Sequence, residues 1–399
     1  MYRCAVPLRQ RLQASTLENI AMFLGAMAVL LARGVTSLDR IPADQGYGIY
    51  QVAREDLTVR FVLGLNKYLN IGARLIPTVV GQFPVQWHAI LGSLVTHLVW
   101  ACCSLLIFSC VRSEGLSRFF SALVALFLVL VPHASESSLG NPGTVGFPLA
   151  ASLIVLATFG NVIRHHVKLS ALFALFVGVT TPFAFLALLP LLFRSFKLMQ
   201  IPKCDLRFGS TILATLILQV VAVGIGNATR GNSTKILSPW DGMGAFWWTG
   251  LLAPPILALF ALLVTNLPFQ KSQGEACVVN SLAASSLAFA ILIYYWGGIA
   301  DRFFVAPMFL STAATLLLSR AFSRGKTRFV RVAIVGLLGV GLAIPTAKWF
   351  QASWYLTSGP TWTSEVRRAR LACQSDTSAL INLRVSPSGT VELDCGYLK

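Results

Sequence analysis

Apolar runs on the scale of a bilayer crossing constrain this chain more than any other feature. A helix needs about 20 mainly apolar residues to cross the hydrocarbon core, and runs of that kind occupy 19–36, 88–111, 118–132, 145–163, 208–226, 250–268, 277–296, 303–319 and 330–347. Hydrophobic residues make up 55% of the 399 residues and charged ones only 12%, about half the share usual in soluble domains. So few charges do not cover a water-facing surface. The pattern predicts an all-α polytopic membrane protein with about nine full spans. The basic N-terminus, MYRCAVPLRQRLQAST, precedes the first run as in a signal peptide. No small-residue cleavage site follows it, so the run reads as a retained span.

Charge placement orients the spans. The net charge is +17, but no soluble stretch carries a basic stripe with interleaved aromatics, which argues against nucleic-acid binding. Lys and Arg instead mark cytoplasmic loops. The segment 169–193, LSALFALFVGVTTPFAFLALLPLLF, is flanked by Arg164 and Lys168 on one side and by Arg194, Lys197, Lys203 and Arg207 on the other. Both flanks belong inside, so the segment reads as a hairpin of two short helices turning at Thr180-Thr181-Pro182. Each arm has about 11 residues, about 16 Å at 1.5 Å per residue. This parity puts the loop with Arg320, Arg324, Lys326, Arg328 and Arg331 inside. The N-terminus is then cytoplasmic, and the tail 348–399 lies outside the membrane domain 1–347. In that oxidising compartment Cys373 and Cys395 are expected to form a disulfide. The stretch between them alternates like two strands around Pro387-Ser388-Gly389.

The chain has only 15 Asp and Glu, and four of them, Asp39, Asp44, Glu55 and Asp56, sit in SLDRIPADQGYGIYQVARED at 37–56, directly after the first span. The outer loop 37–87 also contains RFVLGLNKYLN and ARLIPTVVGQF, amphipathic and too short to span, which read as interfacial helices. A long, structured loop of this kind is a lid rather than a connector.

These features together resemble the GT-C glycosyltransferases, integral enzymes that take a sugar from a polyprenyl-phosphate donor on the outer face. GYGIY, GARLIPTVVGQFP, ASESSLGNPGTVGF, TTPFAFLALLPLLFR, DRFFVAPMFL and GPTWTSEVRRARLAC are similar to stretches of bacterial, often actinobacterial, membrane proteins of that type. The resemblance implies a bacterial inner-membrane protein acting on a cell-envelope glycan or glycolipid. It implies a carboxylate that activates the acceptor hydroxyl and positive groups that hold the leaving lipid phosphate. Asp44 and Asp39 are the candidate bases, Asp44 preferred because Gly46 and Gly48 give a backbone that approaches substrate closely. Arg302, beside Asp301, is the phosphate candidate, with Lys67 and Arg74. A divalent cation such as Mg²⁺ is an alternative counter-charge. Glu136 and Asn141 are candidate sugar contacts, as are Asp241 and Trp240.

Each candidate has a plainer reading. Asp39 and Asp44 read equally as solvated loop acids, Glu136 as a helix cap, Asp301–Arg302 as an ion pair and the tryptophans as an interfacial belt. His133 and Glu136 share a spacing, but two ligands make no metal site. The competing classes are a flippase for a lipid-linked sugar and a non-catalytic scaffold. Transporters carry functional charges inside their spans, whereas here the charges sit at span ends, with Arg33 the nearest exception.

Overall fold

The computed structural model describes residues 8–50, 68–131, 139–198, 203–230, 253–265, 273–295, 301–323, 359–374, 380–386 and 389–398. These residues are mostly helical: α1 Leu8–Arg33, α2 Ala43–Tyr50, α3 Ile71–Val80, α4 His88–Ser113, α5 Arg118–Leu130, α6 Gly146–Phe159, α7 Asn161–His165, α8 Val167–Thr180, α9 Leu188–Leu198, α10 Lys203–Arg230, α11 Ala253–Thr265, α12 Gln273–Tyr295, α13 Val305–Ser323 and α14 Trp362–Ala372. One antiparallel hairpin pairs β1 Leu380–Arg384 with β2 Thr390–Asp394, Leu383 opposite Val391.

Every expected span within the described residues is helical, while the run 330–347 lies outside them. Crossing length is met less often than the apolar runs suggest. Five stretches among the described residues are long and apolar enough to cross a membrane: Thr16–Arg33, Val85–Ser113, Pro142–Phe159, Lys203–Ile225 and Glu275–Ile293. The helix α5 has only 13 residues, about 20 Å at 1.5 Å per residue, against a hydrocarbon core of about 30 Å.

Burial sorts the helices. α6 is apolar all round, and its side chains from Phe147 to Phe159 are buried, as a central helix requires. α1 and α10 are peripheral. Leu17, Ile20 and Leu24 on α1, and Leu213, Ile217, Val220 and Val221 on α10, point outward. An outward apolar face is suited to hydrocarbon, which makes these helices compatible with a multi-pass membrane protein. Between α12 and α13 runs a seam of small hydroxyl residues, Ser281, Ser285, Ser286, Ser311, Thr312 and Thr315, all buried. Ser286 Oγ donates to the Pro307 carbonyl at 2.7 Å. Small side chains let two backbones approach closely where no water drives association.

The segment 169–193 turns back on itself. Thr181 is extended, at φ −144° and ψ 136°, as the residue before a proline prefers, and its hydroxyl accepts from Phe183 N–H. Pro182–Ala187 then makes a 3₁₀ turn into α9. Arg194, near the end of α9, donates to the Ala157 carbonyl at 2.7 Å and to the Asp205 carboxylate at 2.6 and 2.8 Å. Ala157 lies at the end of α6 and Asp205 at the start of α10, so the hairpin leaves where it entered. Gly160, at φ +64°, ends α6 in the left-handed conformation that glycine favours, and a Cβ there would collide with the Arg194 guanidinium. The first arm is longer than the expected 11 residues, because α8 has 14, about 21 Å, whereas α9 has 11. The α8 helix begins in the polar flank, before the apolar run.

Candidate functional site

The loop after α1 and the C-terminal segment fold into one head. Ile41 C=O accepts from Ser386 N–H at 2.9 Å, and Pro42 bridges Ser386. Trp362 is buried and its indole N–H donates to the Val85 carbonyl at 2.7 Å. Its ring stacks on Tyr50, with centroids 6.0 Å apart. Tyr50 Oη lies 2.7 Å from His88 Nδ1, and His88 Nε2 lies 2.7 Å from the Phe83 carbonyl. The only tautomer that satisfies both bonds has Nε2–H donating and Nδ1 accepting from the tyrosine. Cys373 and Cys395 are disulfide-bonded, with Cα atoms 5.5 Å apart, as their shared segment predicts.

Asp39 is engaged in this head. Its Oδ1 accepts from the backbone N–H of Thr363 at 2.9 Å and from the Thr363 hydroxyl at 2.6 Å. Thr361, the N-cap residue of α14, makes no side-chain cap bond of its own. Asp39 therefore caps α14 from across the chain, placing negative charge where helix amides are unpaired. Asp39→Ala should destabilise the head by about 1 kcal/mol, the usual effect of losing a cap. Limited proteolysis of the tail at increasing temperature measures it.

Asp44 stands in the first turn of α2. Gly46 and Gly48 serve packing. A Cβ at 46 would meet Val385 and Ile41, and one at 48 would meet Pro77. The close approach is thus by the tail and by α3. Asn141 is fully buried, and its Oδ1 accepts from Gly143 N–H at 2.9 Å, shaping the turn before α6. Arg74 is half-buried on α3, the helix that ARLIPTVVGQF forms. Asp301 and Arg302 open the 3₁₀ turn Asp301–Phe304. Phe303 in that turn packs edge-on against Phe147 at 5.4 Å, which places the turn beside the start of α6. Glu136, Lys67, Trp240 and Asp241 lie outside the described residues, as does most of RFVLGLNKYLN. Among the described residues no group of three or more His, Cys, Asp or Glu gathers to hold a metal ion.

The head joins the hairpin through a residue the sequence reading passed over. Gln219 on α10 is buried, and its side-chain amide pairs with both backbone groups of Leu69. Leu69 N–H donates to Oε1 at 3.0 Å, while Nε2 donates to Leu69 C=O at 3.1 Å and to Gly178 C=O at 2.7 Å. Gly72 N–H donates to Thr180 Oγ1 at 3.1 Å. Buried irregular backbone needs such partners. A lone glutamine in the apolar run ILATLILQVVAVGI was the available signal.

Glu365 holds α14 to the strands. It is buried and accepts from Arg384 at 2.7 Å and from Arg368 at 2.8 Å. Burial pushes its carboxyl up, but the hydrogen bonds from Arg384 and Arg368 outweigh that and hold it down at about 2. A depressed folded value means the clamp stabilises fully above the unfolded carboxylate's value of about 4.3 and loses that contribution as pH falls through about 2. The head should therefore melt at a constant temperature from neutral pH to about pH 5 and at lower temperatures below about pH 4. Glu365→Gln should lower the neutral value and flatten this decline.

No family model matches the chain, and no curated protein matches it.

Proposed function

We propose that this is a multi-pass protein of a bacterial inner membrane, with its N-terminus in the cytoplasm and its head outside, working as a GT-C-type glycosyltransferase. Three observations support the membrane placement. Outward faces of α1 and α10 are apolar. The basic flanks of the hairpin meet at the end of the bundle away from the head. The head contains a disulfide, a bond at home in an oxidising compartment.

The enzymatic reading is carried by the rigid seating of α2. A catalytic carboxylate must be fixed relative to the reacting atoms, and the helix bearing Asp44 is packed between the tail strands and α3. In this reading Asp44 takes the proton of the acceptor hydroxyl as its oxygen attacks the anomeric carbon. The bond from that carbon to the lipid phosphate breaks, and Arg302, Lys67 and Arg74 neutralise the leaving phosphate. A divalent cation such as Mg²⁺ would supply the same counter-charge. Glu136, Asn141, Asp241 and Trp240 are proposed to contact sugar or acceptor, and Asp39 to act mainly through the head it caps.

The test is an assay of purified protein in lipid with polyprenyl-phosphate sugars and envelope glycans or glycolipids. Transfer of the sugar is the expected result. Movement of a lipid-linked sugar across vesicles without transfer would favour a flippase, and neither activity would favour a scaffold.

A further inference from the structure

α8 and α10 start from the same end of the bundle and run side by side. The Arg194 guanidinium ties the two starts together. It donates to Asp205 on α10 and sits where a Cβ at Gly160, the residue before α7, would stand. Further along, a Cβ at Gly178 of α8 would collide with Thr215 of α10, and Gln219 Nε2 donates to the Gly178 carbonyl at 2.7 Å. The two helices are therefore parallel neighbours. Counting back from that contact at 1.5 Å per residue, Lys168 stands about 15 Å away, Arg207 about 12 Å and Lys203 about 18 Å. Three cations from two adjacent helices thus share one level. All three are exposed, and among the described residues none of them pairs with a carboxylate. Glu18, Glu114 and Asp205, acids of this end, face other cations. Glu18 pairs with Arg112 and Arg118, Asp205 pairs with Arg194, and Glu114 neighbours Arg194 and Arg164.

Beyond each cation the surface turns apolar at helical spacing. Leu169 and Leu172 follow Lys168 on α8, and Leu206, Leu213 and Ile217 follow on the face of α10 that carries Lys203 and Arg207. All five are exposed. The order of charge and hydrocarbon along this face is that of a lipid, an anionic phosphate above apolar chains. A soluble phosphate gains nothing from the leucines. A zwitterionic headgroup brings its own ammonium and gains less from three unpaired cations. Clustered Lys and Arg at a membrane surface attract acidic lipids, and their N–H groups form charge-assisted hydrogen bonds to phosphate oxygens. We propose that the α8–α10 face binds an anionic phospholipid, its phosphate among Lys168, Lys203 and Arg207 and its acyl chains along the leucines. The inference rests on the membrane placement proposed above and not on the transferase reading.

The test is native mass spectrometry of the full chain released from vesicles of equal phosphatidylglycerol and phosphatidylcholine. Wild type should retain the anionic lipid over the zwitterionic one by about fivefold or more, the attraction of a single cation at a membrane surface. Lys168→Gln, Lys203→Gln and Arg207→Gln together should bring the two lipids to parity, while Lys168→Arg with Lys203→Arg should keep the preference. Arg367→Gln, which removes an exposed charge from the head, should also keep it, and excess glycerol phosphate should not displace the lipid. Parity in wild type, an unchanged preference in the triple variant, or displacement by glycerol phosphate would overturn the lipid assignment. Flotation checks the membrane placement separately. A chain that floats with no vesicle would remove that placement, and this inference with it.

Discussion

Asp44→Asn is expected to lower sugar transfer by about 10²–10⁴-fold, the usual effect of losing a general base, while the protein folds and binds donor much as before. The substitution keeps size and removes only the proton-accepting charge. α2 is held by backbone-close packing at Gly46 and Gly48, so the helix should stay in place. Asp39→Asn separates the roles of the two acids. An amide oxygen still accepts from Thr363, so this change should leave transfer within a few-fold of wild type. Transfer is measured at saturating and limiting donor, because loss of a base lowers kcat and leaves donor affinity near its original value. An Asp44→Asn protein that transfers sugar at the wild-type rate would remove Asp44 from the reaction.

The second large effect concerns the far end of the bundle. Arg194 and Asp205 are buried, and the pair also holds the Ala157 carbonyl. Breaking a buried pair leaves an uncompensated charge and costs about 3–5 kcal/mol. Asp205→Ala should therefore lower the unfolding temperature in detergent or nanodiscs steeply and loosen the hairpin that α9 anchors. Replacing both residues by leucine should be far milder than Asp205→Ala, because a buried ion pair is often no better than apolar packing. Equal losses in the single and double variants would contradict this account of the pair.

The positions of the helices were legible because apolar runs at this composition leave the backbone little alternative to internal hydrogen bonding. Thr181-Pro182 was legible as a turn because of the residue preference before proline. The disulfide followed from two cysteines in one short segment with a hairpin pattern between them. What escaped is long-range. Asp39 meets Thr363 across 324 residues, and nothing local to either residue announces the other. Gly46 and Gly48 signalled a special backbone, but the sequence does not say whether substrate or protein comes close. Crossing lengths were overstated where an apolar run outlasts its helix, as at 118–132 against Arg118–Leu130.

The head gives the clustered carboxylates of the first loop a physical role. Asp39 ties the loop to the tail, and Asp44 rides on a helix those contacts hold in place. The proposed transfer on the outer face requires that the head occupy one side of the membrane and the hairpin's flanks the other. Single-cysteine variants at Lys168, Lys203 and Arg367, all exposed, test this directly in a background without the free cysteines. In oriented vesicles, an impermeant maleimide should label positions 168 and 203 from one side and position 367 from the opposite side. Labelling of 168 and 203 from opposite sides, or of 367 together with 168, would contradict the account.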